Sequence, residues 1–310
     1  MKIIFFGSSD FAVPALEALS KKEDVALAVT QPDRKKGRSL RVASTAVKQS
    51  AVNLGIEVYQ PDSVNKKDSI ERLKKLDADI FIVVSFGQIL KKELLETPKK
   101  YCINVHASIL PKYRGAAPIN WAIANGERET GITIIRMNEK MDEGDMIAKE
   151  IVNINDSDDA VMLSSKLSRK GAELLLKSID LIKEEKVSFA KQDNSKSTYA
   201  PKLERHDGII DWNWDADKIC SRIKAFAPWP GCFTHFDKKI LKIWKAAPVD
   251  VYGYNCAPGT VLEIRKHSIL IGTGKGAMEI KELQLEGKRR MSAEEFIAGH
   301  REITAGKVLT

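Results

Sequence analysis

In the first half of the chain, short apolar runs alternate with amphipathic stretches. Residues 2–6 form a β-rich apolar run. The turn Gly7-Ser8-Ser9-Asp10 leads into a helix over 11–19, with Asp10 as its cap and Pro14 tolerated near the first turn. The pattern predicts a second strand over 25–30, a helix over 43–54 that stops at Gly55, a short strand over 56–59 and a charged helix over 66–76. Residues 80–85 are almost uninterrupted apolar or β-branched positions, as in a strand buried on both faces. A helix over 90–96 and strands over 102–105 and 133–137 complete the series. The alternation predicts an α/β fold, a Rossmann-like, mainly parallel sheet with helices on both faces.

Residues 160–184 then read as one long helix, with Leu163, Leu167, Leu174, Leu175, Ile179 and Ile182 near helical spacing. Beyond residue 208 the pattern changes. Four of the five tryptophans lie there, and short β-like runs alternate with glycines: 232–236, 240–244, 259–264, 268–271 and 277–283. A helical piece over 219–226 ends at Pro228-Trp229-Pro230-Gly231. Short strands at this spacing predict a small β-barrel or sandwich. The expected organisation is an α/β domain over 1–190, a polar linker over 191–207 and a C-terminal β-barrel domain over 208–310.

Composition narrows this picture. The chain has 310 residues, 43% hydrophobic and 30% charged, enough apolar content for two cores. No apolar stretch reaches membrane-spanning length, and the N-terminus reads as a strand and turn rather than a signal peptide. Cys102, Cys220, Cys232 and Cys256 form no CxxC pair, which points to a reducing, cytoplasmic setting. Nothing calls for more than one chain, so a monomer is expected. GSSDFA lacks the glycines of a dinucleotide fingerprint, and His106 has no HxxH or HExxH partner, so neither nicotinamide nor metal chemistry is expected.

Candidate chemistry begins at Asn104 and His106. Two positions apart on an extended strand, their side chains share a face. An asparagine amide can donate to a developing oxyanion, and a histidine can move a proton near neutral pH. The plain alternative is a structural histidine with Asn104 capping a turn, and these two residues alone do not decide between them. The acids of Met141-Asp142-Glu143-Gly144-Asp145 read equally as a solvated turn or as the source of a carboxylate beside His106. Ser108 is nearby, but one residue after an Ala it forms no nucleophile elbow, and the Asn, His and Asp include no serine, cysteine or threonine as attacking group. Direct transfer to an attacking substrate group, such as an amine, fits better than an acyl-enzyme.

A second feature is basic. Arg34, Lys35, Lys36, Arg38 and Arg41 fall within eight positions, and no acid occurs from residue 34 through 56. Most charge runs are solvated loops. This one follows a strand, where basic groups can clamp phosphates and arginine can reach base edges. From 201 to 310 there are 18 Lys and Arg against 14 Asp and Glu, including Lys288-Arg289-Arg290. That is a weaker indication of RNA contact.

The string Asn104-Val105-His106-Ala107-Ser108-Ile109-Leu110-Pro111, continued by Tyr113-Arg114-Gly115-Ala116-Ala117-Pro118-Ile119, resembles the central motif of the formyltetrahydrofolate-dependent formyltransferases. Asp142-Glu143-Gly144-Asp145-Met146 resembles the family's DxGDM segment, and Phe5 to Phe11 its first strand and turn. Thr30-Gln31-Pro32-Asp33-Arg34 and Thr198-Tyr199-Ala200-Pro201-Lys202-Leu203 extend the likeness over nearly the whole chain. Ser8-Ser9 stands in place of Thr-Pro and Ile109 in place of a common Leu, neither touching a candidate catalytic group.

The resemblance implies a C-terminal OB-like barrel that binds tRNA, and catalytic roles for Asn104, His106 and Asp142. The formyl donor it implies is 10-formyltetrahydrofolate, held near Phe86, Gly87, Gln88, Ile89 and Leu90 and near Ser108, Leu110 and Pro111. The acceptor it implies is the α-amine of methionine on charged initiator tRNA, gripped by the basic 34–41 loop, above all Arg38, while Lys288, Arg289 and Arg290 are candidate tRNA contacts on their charge alone. Two other readings stay open: formyl transfer to an amino-sugar nucleotide, and an RNA-binding module whose α/β half is inert.

Overall fold

The computed structural model describes residues 1–36, 41–250 and 257–310. Contacts divide the chain into two compact units. One holds Met1–Pro118, Glu129–Asn153 and Ser164–Ala200, and the other Ile119–Arg128, Ile154–Leu163 and Pro201–Thr310.

The first unit is built on a seven-stranded sheet. Strands β1 (Lys2–Gly7) and β2 (Asp24–Val29) precede a two-stranded ribbon, β3 (Arg34–Lys36) against β4 (Arg41–Ala43). They are followed by β5 (Val58–Tyr59), β6 (Ile80–Val84), β7 (Tyr101–His106), a short β8 (Arg114–Gly115), β9 (Glu129–Arg136) and β10 (Asp145–Asn153). The order across the sheet is β10-β9-β7-β6-β1-β2-β5. The pairs from β7 to β5 are parallel, while β9 and β10 run antiparallel. The chain winds from β1 outward through β2 to β5, then returns to β6 on the other side. The crevice between the ends of β1 and β6 is therefore a topological switch point, where ligands of such sheets bind.

Phe6, Phe81 and Phe86 pack together in the core on one face of this sheet, Phe6 and Phe81 with ring centroids 5.2 Å apart. Helices α1 (Val13–Ser20), α2 (Ala46–Asn53), α3 (Lys67–Lys75) and α4 (Lys92–Leu95) fall between the strands. Asp10 does not cap α1. Itself exposed, it opens a 3-10 turn, and the α-helix starts only at Val13, with Pro14 in its first turn. Helix α2 starts at Ala46 rather than 43. The Thr45 hydroxyl accepts the Lys48 N–H at 3.1 Å as its cap, and Arg41–Ala43 belong to the ribbon.

The pattern of apolar positions did not reveal β10, because an edge strand keeps most side chains partly exposed and polar residues such as Lys149 and Glu150 interrupt it. Helix α5 (Pro118–Ala124) is too short to show a period. Helix α6 (Ala160–Lys183) is the long predicted one, with Gly171 against Val105 and Ile132 of the sheet. The stretch read as a linker carries a strand of its own, β11 (Tyr199–Ala200), paired parallel to β8.

The second unit holds an antiparallel sheet in the order β12 (Cys232–Phe236), β13 (Lys239–Val249), β16 (Ala277–Leu285), β15 (Ile269–Gly272) and β14 (Val261–Ile264), with β17 (Met291–Ser292) beside β16. Its end segment joins the two edges. Thr310 bonds His235 of β12, while Leu309 and Lys307 bond Gly259 and Val261 beside and on β14. Closure of this kind satisfies edge groups and is consistent with an OB-like barrel. Helix α7 (Ala216–Phe226) packs on β13, and α8 (Ala293–Gly299) on β16. Trp212 is buried with its indole N–H on the Thr234 hydroxyl at 3.0 Å, and Trp229 is 54% exposed.

No described helix is long and apolar enough to cross a membrane. Phe81 is fully buried on a central strand. Phe81→Ala is expected to destabilise the first unit by about 3–5 kcal/mol, read from its urea transition.

Candidate active site

Strand β7 presents Asn104 and His106 on one face, and the turn between β9 and β10 brings Asp142 to both. The Asn104 amide donates to Asp142 Oδ1 at 3.4 Å. His106 Nδ1 faces Asp142 Oδ2 at 3.6 Å, longer than a hydrogen bond. The same Oδ2 accepts the Gly115 backbone N–H at 2.8 Å. His106 Nε2 lies 3.0 Å from the Tyr113 carbonyl oxygen, an acceptor, so this nitrogen carries a proton. Nδ1 is then the ring nitrogen left facing the carboxylate. The imidazole is buried, and Asn104 and Asp142 are half-buried. The sequence singled out these three side chains. It did not single out the Gly115 N–H or the Tyr113 carbonyl, because backbone groups leave no mark in a residue pattern.

Backbone strain collects here. Asp142 (φ 54) and Tyr113 (φ 60) both adopt the left-handed region. Gly144 is required for another reason. A Cβ on it would lie 1.9 Å from the Arg136 carbonyl oxygen.

Ser108 and Leu110 are buried in the turn that follows β7. The Ser108 hydroxyl donates to the Lys112 carbonyl at 2.6 Å, and the Leu110 N–H bonds the Thr133 hydroxyl at 3.1 Å. Pro111 is half-buried, and its carbonyl accepts the Thr198 N–H at 3.4 Å.

At the switch point, the Ser8 hydroxyl donates to the Phe86 carbonyl at 2.9 Å and accepts the Gln31 N–H at 3.1 Å. Phe86 and Leu90 turn their side chains into the core. The Gln88 amide is taken up by the 61–64 segment, its oxygen accepting the Val64 N–H at 2.9 Å. Of that run, Gly87 (φ 87) and Ile89 face outward, Ile89 being 69% exposed. This edge therefore presents backbone and an exposed aliphatic side chain.

Arg34 is exposed at the start of β3, and the backbones of Lys35, Lys36 and Arg41 lie on the ribbon. Arg38 falls outside the described residues. The base of the ribbon is braced. The Lys48 ammonium at 2.6 Å and the Gln60 amide at 2.7 Å hold the Asp33 carboxyl below the usual carboxylate range. In the second unit, Lys288, Arg289 and Arg290 are exposed. Arg289 is paired with Glu295 and Arg290 with Glu282, each at 2.5 Å.

Burial pushes the Cys102 thiol up, and the Cys220 and Cys232 thiols up to about 12, so none of the three is a thiolate nucleophile at neutral pH. Among the described residues no group of three His, Cys, Asp or Glu side chains is placed to hold a metal ion.

Residues 1–179 match the formyl transferase family, and residues 202–301 match the formyl transferase C-terminal domain. The chain is 45% identical to a methionyl-tRNA formyltransferase of Caldanaerobacter subterraneus subsp. tengcongensis, covering 100% of both chains. It is 43% identical to the enzyme of that name from Geobacter metallireducens, over 97% of this chain and 96% of the relative. Among solved structures, an N-formyltransferase from Helicobacter canadensis, in complex with folinic acid and dTDP-3-aminofucose, shares the fold. Its TM-score is 0.68 at 23% identity, over 90% of this chain and 98% of that one.

Gly144→Ala is expected to displace the 142–144 turn and to cost about 1–3 kcal/mol. Gly299→Ala, where a Cβ meets nothing within 4 Å, is the control. The comparison of their thermal unfolding midpoints checks this, and equal midpoints would show that the Arg136 contact imposes no constraint.

Proposed function

The chain belongs to the formyl transferase family, and we propose that it moves the formyl group of 10-formyltetrahydrofolate to the α-amine of methionine on charged initiator tRNA, for translation initiation. The observation that carries the chemistry is the meeting of Asn104, His106 and Asp142 with no protein nucleophile among them. The acceptor assignment is supported by the full-length likeness to methionyl-tRNA formyltransferases and by the acid-free basic stretch from residue 34.

The methionine amine attacks the formyl carbon directly. A bond forms from that nitrogen to the carbon, and the carbonyl oxygen becomes an oxyanion. The Asn104 amide has a second N–H to donate to it, and an imidazolium at His106 adds its charge. As the tetrahedral intermediate collapses, the bond from carbon to N10 of the folate breaks. The amine loses one proton and N10 gains one, so the products are the formylated aminoacyl-tRNA and tetrahydrofolate. His106 Nδ1, opposite the Asp142 carboxylate, is the atom we assign to carry that proton. The 3.6 Å gap leaves room for the pair to tighten when substrates are bound.

The folate is placed along the Gly87–Ile89 edge beside the switch point, where backbone polar groups recognise its ring. We assign the basic 34–41 stretch of the sequence, including Arg38, to the acceptor end of the tRNA, and Lys288, Arg289 and Arg290 to its backbone. The cytoplasm is the compartment we assign, since the acceptor is made and used there. An amino-sugar acceptor shares the chemistry, but it needs no basic ribbon. An inert α/β half would have no use for three converging polar side chains.

Asn104→Ala and His106→Ala are each expected to lower kcat by about 10²–10³, the loss seen when an oxyanion donor is removed. Binding of charged tRNA should survive. Near-normal formylation of methionyl-tRNA by both variants would remove the reaction from this centre. Replacing Arg34, Lys35 and Lys36 together by Ser is expected to reduce kcat/KM for charged tRNA at least tenfold and to flatten its salt dependence, with the folate KM unchanged. An unaltered salt dependence would take the ribbon out of tRNA binding.

A further inference from the structure

The stretch that reads as a polar linker lies behind the reaction centre. Gln192 is half-buried, and its amide faces two ways. Its oxygen accepts from Arg114 Nε at 3.1 Å and Nη2 at 2.7 Å. Its nitrogen donates to the carbonyl oxygens of Asp142 at 2.7 Å and Gly144 at 2.8 Å. Arginine only donates, so the amide oxygen must face Arg114, and the two amide protons are left for the two carbonyls. The buried Arg114 also donates to Asn194 Oδ1 at 2.7 Å and faces the Glu143 carboxylate at 3.3 Å. Residues 142, 143 and 144 are thus all gripped by this one pair of side chains.

The same stretch holds the other side of the site. Arg114 N–H donates to the Thr198 carbonyl at 2.9 Å and Ala116 N–H to the Ala200 carbonyl at 2.8 Å. The Tyr113 N–H meets the Thr198 hydroxyl at 2.8 Å. Between them, the Gly115 N–H points instead at the Asp142 carboxylate. The two groups that face the His106 ring nitrogens, the Tyr113 carbonyl and the Asp142 carboxylate, are therefore both supported from residues 192–200.

We propose that Gln192 is a positioning residue, which aims the Asp142 carboxylate at His106 by holding the Asp142 and Gly144 carbonyls, with Arg114 fixing the sense of its amide. Its kinetic consequence rests on the formyl-transfer reading above, while its structural consequence does not. Gln192→Glu discriminates well. It preserves size and the acceptor for Arg114, but sets a carboxylate oxygen against two carbonyl oxygens. Gln192→Met removes donor and acceptor together at similar length.

The experiment pairs steady-state kinetics with amide hydrogen exchange by NMR in the full chain, using 10-formyltetrahydrofolate and methionyl initiator tRNA. Both variants are expected to lose at least tenfold in kcat, with either KM within twofold of normal. Placed on Asp142→Ala, the same changes should cost less than a further twofold. Exchange at Gly115 should quicken at least tenfold while Arg114 and Ala116, bonded to 198 and 200, keep their protection. Unchanged exchange at Gly115 would overturn the proposal. So would a loss confined to KM, or joint loss of protection at 114, 115 and 116 in both variants, which marks general support of the fold. Wild-type protein that transfers no formyl group would sink the functional reading alone, and the Gly115 amide would still decide the clamp.

Discussion

Asp142 occupies a backbone conformation that an L-residue avoids, with φ 54, and much of the candidate site depends on that residue staying there. A single residue held in such a region costs on the order of 1–3 kcal/mol. Tyr113 (φ 60) carries a second such cost, and its carbonyl is the partner of His106 Nε2. Both strained residues present an oxygen to the same imidazole. The opposing contributions are hydrogen bonds to the strained peptide units and to the Asp142 carboxylate. Groups fixed in this way need little rearrangement when charge develops on a substrate, which is the condition for strong electrostatic stabilisation.

The sheet explains how three distant stretches of chain can meet. Parallel pairing places β1, β6 and β7 side by side with their ends on one edge, and antiparallel β9 and β10 add a hairpin next to β7. The Met137 N–H donates to the Cys102 carbonyl at 2.8 Å, tying the start of the 137–144 turn to β7 just before Asn104. Gly144 allows the turn to pass close to Arg136. Register, not sequence proximity, brings Asp142 to Asn104 and His106.

This explains which parts were legible. Strands buried on both faces, such as β1 and β6, announce themselves by unbroken apolar runs, and the long α6 by its period. The shared face of Asn104 and His106 was legible because they stand two positions apart on one strand, whereas the residue pattern alone left their role open. Edge strand β10 was not, since only Val152 of its nine residues is buried. Gln192 was invisible for a deeper reason. A polar residue in a polar stretch reads as solvated, and its bonds to residues 142 and 144 close loops of about fifty residues that no local pattern contains. The resemblance to formyltransferases marked 86–90 as one block, whereas the fold divides it: Phe86 and Leu90 are core, and Gly87 and Ile89 form the accessible edge.

Charge requires the same distinction between a residue and its surroundings. In the second unit, Arg289 and Arg290 each sit beside a carboxylate on the surface. Water screens exposed pairs of this kind, so they do little to hold the arginines back from a phosphate. The cost of an RNA contact lies elsewhere. Once the arginine turns away, Glu295 or Glu282 remains beside the polyanion and repels it. The stretch from Arg34 contains no acid of its own, since none follows until Glu57, and the one just before it, Asp33, is already held by Lys48. Equal counts of basic residues therefore do not make equal electrostatic platforms. Under the proposed function, the acid-free sequence favours the stretch from Arg34 over the Lys288–Arg290 cluster as the stronger attraction for a charged tRNA.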